Sequence, residues 1–440
     1  MIGMFDIGKI YRVLRQAGRN FFSVPYFGFV QGHVHLVREE LIKIRSLVGA
    51  DDADGVIAEF ESRFSGLIGD GRAVAFATGR MGFFALMQAL SIKMGDEVVL
   101  QGATCSVMAN AVLRIGATPV YADIDRNTFG SSAEAIAKVL SPKTRLIVAQ
   151  HSFGIPCEIA PILELARNRG IFLLEDCALT LGSRINGVTC GNFGDAALFS
   201  TDHSKPINTL SGGLVYTKDS SLLDKLREIQ ACSGSFPVKK QKALWHQLIL
   251  ERKYCQPDQY GRMRLIQLIY SNLLGITRSA FANEDYGSVP SISYPYPSCM
   301  PVFLAALGIM EIDRWQLTSQ ERKETLNRLI EVIEDECGEV LPKVYRDISR
   351  EIVPLRIAWS SKNGSVIRQR LSCMLETDGI WFMEPVIASK EPPGNFGYTS
   401  GCCPESEELG RNMVNIPCNI SQEWLDGLSK SIKQYMNDLG

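Results

Sequence analysis

From about residue 73 the chain settles into short, wholly apolar runs separated by stretches in which apolar and polar residues recur with helical spacing. The runs AVAFA (73–77), EVVLQ (97–101), TPVYAD (118–123), RLIVAQ (145–150), IFLLED (171–176), AALFS (196–200) and GLVYT (213–217) read as strands. Segments of helical length, 80–92, 106–115, 132–140 and 157–169, lie between the first five. Strands that are apolar on both faces and joined by helices predict an α/β domain, its mostly parallel sheet covered on either side. Beyond about 230 comes a long helical stretch, then the proline-rich segment SVPSISYPYPSCMP at 288–301, which suits neither a helix interior nor a central strand. The remainder predicts a smaller α+β unit: a long helix at 302–334, strand-like VPLRIAW and IWFMEPV, and a closing helix at 421–438. The expected organisation is an N-terminal helical extension (1–55), a large α/β domain (56–300) and a small C-terminal α+β domain (301–440).

Composition narrows the function classes. With 440 residues the chain can bury a large core unaided. Its 46 Lys and Arg against 48 Asp and Glu leave no basic excess for nucleic acid. Twelve cysteines occur without CxxC spacing, and Cys402-Cys403 has no nearby His, so neither a zinc site nor any other metal site is expected. The N-terminus has no uninterrupted apolar core, and FFSVPYFGFV at 21–30 is too short to span a bilayer and is broken by Pro25 and Gly28. A cytoplasmic protein with reduced cysteines is the expectation. In the extension, Lys9, Arg12, Arg15 and Arg19 border Ile7, Ile10, Val13 and Leu14 on a helix. That edge suits a membrane surface, but a helix packed on the body or on a second subunit is expected instead. His33 and His35 alternate with Val34, and no metal role is assigned to them.

The chemistry concentrates between 175 and 217. Glu175-Asp176 ends a buried strand, the position where open α/β sheets bind ligands, and Lys205 follows in the turn Ser204-Lys205-Pro206. An amine and a carboxylate so placed suit a Schiff-base cofactor, the amine for its carbonyl and the acid for a ring nitrogen. Thr78-Gly79-Arg80 follows the first strand and opens a helix, so its amides form an anion site to which the Arg80 guanidinium adds a phosphate contact. His151 closes a central strand near Asp176 and is a candidate for cofactor or substrate contact; His203 is a candidate for the site entrance.

These residues, with GDEVVLQGATCSVMANAVLRIGATPVYADID (95–125), QHSFGIP (150–156), EDCALTLG (175–182), GNFGDAALFS (191–200) and the closing segment 396–427, resemble the DegT/DnrJ/EryC1/StrS family from about residue 56 to the end. The resemblance implies the aspartate-aminotransferase fold and a homodimeric, pyridoxal 5'-phosphate (PLP)-dependent aminotransferase. Such an enzyme moves an amino group from an amino-acid donor, L-glutamate by family habit, to a keto group of a nucleotide-linked sugar in polysaccharide or secondary-metabolite biosynthesis. It implies that Lys205 joins the cofactor aldehyde and later moves the proton, that Asp176 bonds the pyridine nitrogen, and that Ser200, Gly79 and Arg80 hold the phosphate. Four positions depart from the family pattern. Cys105, after Thr104, stands where an aromatic residue stacks on the ring, and Leu179 stands where a polar residue, usually Gln, faces the phenolic oxygen. Arg80 replaces Thr, and Tyr296–Met300 replaces the asparagine-bearing turn donated by the partner subunit. The alternatives these departures raise are a cofactor-binding homologue with a regulatory or scaffold role and a PLP-dependent sugar dehydratase; retention of Lys205 counts against the dehydratase, since the family's sugar dehydratases carry histidine there.

Overall fold

The computed structural model describes residues 32–52, 54–255, 285–290, 292–336, 341–371, 375, 382–389 and 391–437. The basic stretch around Lys9–Arg19 lies outside the described residues. In chain order the helices are α1 (Arg38–Ser46), α2 (Val56–Gly66), α3 (Gly79–Ala89), α4 (Ser106–Arg114), α5 (Ala133–Val139), α6 (Ile159–Arg169), α7 (Ser220–Cys232), α8 (Val238–Tyr254), α9 (Val302–Asp313), α10 (Trp315–Glu331), α11 (Gly364–Leu371), α12 (Pro404–Asn412) and α13 (Gln422–Asn437). The strands are β1 (Arg72–Phe76), β2 (Glu97–Gln101), β3 (Thr118–Ala122), β4 (Thr144–Gln150), β5 (Phe172–Asp176), β6 (Arg184–Ile185), β7 (Val188–Thr189), β8 (Ala196–Ser200), β9 (Gly213–Thr217), β10 (Arg350–Glu351), β11 (Arg356–Ser360) and β12 (Met413–Pro417).

Seven strands form the central sheet in the order β1-β9-β8-β5-β4-β2-β3, with β9 antiparallel to both neighbours and the rest mutually parallel. The uninterrupted apolar runs have a simple cause, since both faces are buried and successive residues of one strand enter different cores. Val98, Leu100, Leu146, Val148 and Leu174 pack with α3, α4, α7 and α9, whereas Val99, Ile147, Ala149 and Leu173 pack with α5 and α6. A third cluster gathers β11 and β12 with α10, α11 and α13, and takes in Phe129 and Phe153 from the large sheet's loops.

Two expectations change. The helix anticipated over 302–334 is two helices, α9 and α10, broken at Arg314 (φ −95, ψ −7), whose amide bonds back to Glu311 (3.3 Å). The first, α9, packs into the large core, where Gly308 runs so close to Phe60 that a Cβ would stand 2.3 Å from the ring. IWFMEPV is not a strand in its described part, 382–386; β11 pairs with β12 instead, because Met413–Pro417 buries on both faces. The proline-rich segment runs along the open edge of β1 in its own chain, with the Ala77 amide donating to the Ser298 carbonyl (3.0 Å) and Cys299 bridging Phe76. Among the described residues no helix is long and apolar enough to cross a membrane.

Candidate active site

The carboxyl ends of β4, β5 and β8 lie side by side, and β9, running the other way, begins at the same edge with Gly213 opposite Ser200. This edge collects the functional candidates. Thr78 is extended and caps α3, its Oγ1 accepting from the Met81 amide (3.2 Å). That leaves the Gly79 and Arg80 amides at the positive end of the helix without acceptors inside it. Gly79 is wedged between two neighbours: a Cβ on it would stand 3.3 Å from Ser200 Cβ, and a Cβ on Gly213 would stand 2.2 Å from Gly79 Cα. The lack of side chains here lets three backbones meet and presents amides to a ligand, with the Ser200 hydroxyl beside them.

The Arg80 Nε donates to Asp285 Oδ2 (2.7 Å) in a buried pair. Burial opposes the charge, but Asp285 together with Tyr286, Tyr294 and Tyr296 more than offsets it, so the guanidinium is held above its ordinary range. Arg114 shares the same carboxylate (3.3 Å) and lies 3.8 Å over the Tyr296 ring.

Lys205 and Asp176 come within each other's electrostatic reach. Burial holds the Lys205 amine below its ordinary pKa, against the pull of Asp202, Cys105 and Asp176, and Arg356 pushes in the same direction as burial. Burial likewise raises the Asp176 carboxyl, opposed by the Ala178 amide on Oδ1 (2.9 Å) and by the charges of Lys205 and His151. Burial thus weakens the amine as a base and the carboxyl as an acid, and the charge of each offsets part of that effect on the other. Asp202, which the sequence reading passed over, is the largest influence after burial on Lys205. Burial raises its carboxyl, but His203 (2.7 Å), Lys205 and Arg80 bring it down to about 2. An acid three residues before the lysine in one turn was the available signal. Arg356, on β11, was also missed; burial pushes it down to about 9, with Cys418 opposing.

Glu175, one residue before Asp176, points to the other face of the strand. Its oxygens accept from the Gly191 (2.8 Å), Phe193 (2.7 Å) and Gly194 (2.8 Å) amides and from His151 Nε2 (3.1 Å). His151 Nδ1 accepts from the Cys157 amide (3.0 Å). His151 therefore has both ring nitrogens engaged by protein and reaches the site through Asp176, whose carbonyl accepts from its amide (3.1 Å). His151, Glu175 and Cys177 bring potential metal donors within 4.8 Å of one another, but the histidine and the carboxylate are already satisfied by hydrogen bonds.

Thr104 and Leu179 are buried, and Cys105 is partly buried at the N-cap of α4. Burial raises the Cys105 thiol, against the Val107 backbone and the charge of Lys205. Loop 386–388 lies over this strand end, the Ile387 amide donating to the Thr104 carbonyl (2.8 Å). Leu179 brings no hydrogen-bonding group to the site. A nucleophilic amine, an acid and a glycine cradle of helix amides are the donor set that PLP requires, and the residues present fit that cofactor.

Comparison with known proteins agrees. GDP-perosamine synthase of Escherichia coli O157:H7 is 34% identical over 289 residues, 66% of this chain and 76% of that protein. The spore coat polysaccharide biosynthesis protein SpsC of Bacillus subtilis (strain 168) is 34% identical over 386 residues, 86% of this chain and 88% of that one. The PLP form of a proposed sugar aminotransferase from Streptococcus pneumoniae superposes with a TM-score of 0.67 over 95% of this chain and 100% of its own, and at 18% identity this likeness speaks for the fold. A model of the DegT/DnrJ/EryC1/StrS aminotransferase family matches residues 54–424, and the chain belongs to that family.

Proposed function

We propose that this aminotransferase takes the amino group of L-glutamate and passes it to a keto carbon of a nucleotide-linked sugar, using PLP held at Lys205. The observation that carries the reading is the convergence of the half-buried Lys205 and of Asp176, which ends β5, at the carboxyl edge of the sheet, where each lies within the other's electrostatic reach. Bound there, PLP supplies an electron sink for the carbanion formed at Cα. Asp176 would bond the ring nitrogen and hold its proton there, a cation that would offset the cost of burying the carboxylate. The Gly79 and Arg80 amides and the Ser200 hydroxyl orient the phosphate. Lys205, whose proton affinity burial lowers, would be both the nucleophile for the cofactor aldehyde and the base that carries the proton at Cα. With PLP bound, Thr104 and Cys105 would line the ring and Leu179 would stand at its phenolic side.

The names of the relatives, a GDP-sugar synthase and a spore coat polysaccharide protein, support a sugar substrate carried on a nucleotide. The protein works in the cytoplasm as a homodimer. The test is a panel of nucleotide-linked keto sugars incubated with L-glutamate, with product mass as readout. One sugar converts to its amino form and the visible cofactor band bleaches on adding glutamate. No aminated product, together with a band indifferent to every amino donor, overturns the reading.

A further inference from the structure

Residues 33–36 precede the segment matched by the family, which begins at 54, yet they are wired into the loop that carries Lys205. The chain turns there, the Leu36 amide donating to the His33 carbonyl (3.2 Å), and both side chains are buried. The turn is lodged against three elements. Gly32 lies so close to the end of α8 that a Cβ would stand 2.9 Å from the Glu251 carbonyl oxygen, and Arg252 Nε donates to the Leu36 carbonyl (3.0 Å). His35 accepts at Nδ1 from Arg314 (2.7 Å), so its proton sits on Nε2, 3.0 Å from Glu311 of α9. His33 Nε2 donates to the carbonyl of Asn208 (2.8 Å).

Asn208 is the third residue after Lys205 and is fully buried. Its Oδ1 accepts from the Leu210 amide (2.8 Å) and its Nδ2 donates to Glu251 (3.4 Å). Leu210 has φ 68, a left-handed conformation that a bulky side chain keeps only where its surroundings enforce it. The Lys205 amide donating to the Asp202 carbonyl (2.9 Å) and the Thr209 amide donating to the Thr201 carbonyl (2.8 Å) close the loop over 201–212. The loop is therefore a constrained ring whose exit, 208–210, is pinned from outside by a histidine that the family match does not include.

With Lys205 in the role proposed above, we propose that the turn at 33–36 is a positioning element for that lysine: the His33 N–H holds the Asn208 carbonyl and, through it, sets where the amine stands relative to Asp176 and Asp202. His33 acts through the loop. Without it the Asn208 carbonyl has lost a donor in a place closed to water, the exit of the loop relaxes, and Lys205 moves toward solvent, where burial no longer holds its proton affinity down.

The experiment compares the full-length, cofactor-loaded protein with His33→Ala, His33→Asn, His33→Gln and Leu36→Ala. The glutamine amide reaches as far as imidazole Nε2, whereas asparagine stops short, so the pair separates the hydrogen bond from polarity and packing. The readouts are the pH titration of the visible cofactor band and the split between kcat and KM. His33→Ala and His33→Asn shift the band's titration by about one pH unit and lower kcat about tenfold with KM nearly unchanged; His33→Gln restores both. Leu36→Ala lowers the melting temperature without moving the titration. If the alanine variant does not fold, the asparagine and glutamine pair decides. A wild-type titration in every His33 variant, or a glutamine variant shifted as far as alanine, overturns this proposal alone. A wild-type protein with no band that borohydride fixes onto Lys205 overturns the proposed function and this role with it.

Discussion

Gly213→Ala tests the phosphate cradle by geometry. Gly213 has an ordinary backbone conformation, so the substitution carries no dihedral penalty, only a contact: its Cβ would stand 2.2 Å from Gly79 Cα and 2.4 Å from Gly79 N. Those are backbone atoms, and no side chain can rotate away to make room. Restoring ordinary contact moves the start of α3 by more than about 1 Å away from Ser200, with overpacking of this kind costing about 1–3 kcal/mol. The moved amides are the ones assigned to the PLP phosphate, and a hydrogen bond to a charged group contributes about 1.5–3 kcal/mol. Losing one such bond weakens PLP binding about tenfold to 150-fold. The assay is a titration of the cofactor-free protein with PLP followed in the visible, beside denaturant melts. Gly66→Ala, where a Cβ meets nothing within 4 Å, is the control and binds as wild type. A Gly213→Ala protein that binds PLP as tightly as wild type refutes the placement of the phosphate at Gly79.

Other consequences follow from the same groups. Glu175→Leu strips the acceptor from three backbone amides, those of Gly191, Phe193 and Gly194; at about 1–3 kcal/mol for each buried donor left unmade, denaturant unfolding shows a loss of at least about 3 kcal/mol, and Glu175→Gln a smaller one. For His203, burial opposes the charge but Asp202 raises the ring to about 9. Its contribution is therefore fully present below the ordinary histidine pKa of about 6.5 and is lost as pH rises through 9. With the ring 42% exposed, solvent screens the pair to about 1 kcal/mol, so His203→Gln is destabilising by that much at pH 6 and neutral at pH 10; equal losses at both would refute the pairing.

The sheet was legible because its strands are buried on both faces, which removes polar positions from each run and marks its limits; EVVLQ, AALFS and GLVYT match β2, β8 and β9 residue for residue. The helix at 302–334 looked continuous because nothing in its sequence breaks it. The break at Arg314 serves contacts with Glu311 and His35, and the latter lies 279 positions away. IWFMEPV carried a strand's composition, but the place beside β11 is taken by Met413–Pro417, and pairing competition between distant segments leaves no local trace. Lys205 and Asp176 were legible as an amine and an acid at strand ends. Asp285 was not, because it joins Arg80 across 205 positions.

The account's central claim is that one amine, that of Lys205, bears the cofactor. Reducing the purified, PLP-loaded protein with borohydride and mapping its peptides by mass measures this directly. The account predicts a phosphopyridoxyl mass on the peptide containing Lys205 and its absence from the Lys205→Ala protein. Finding that mass on a different lysine, or on Lys205→Ala at the wild-type level, would contradict it.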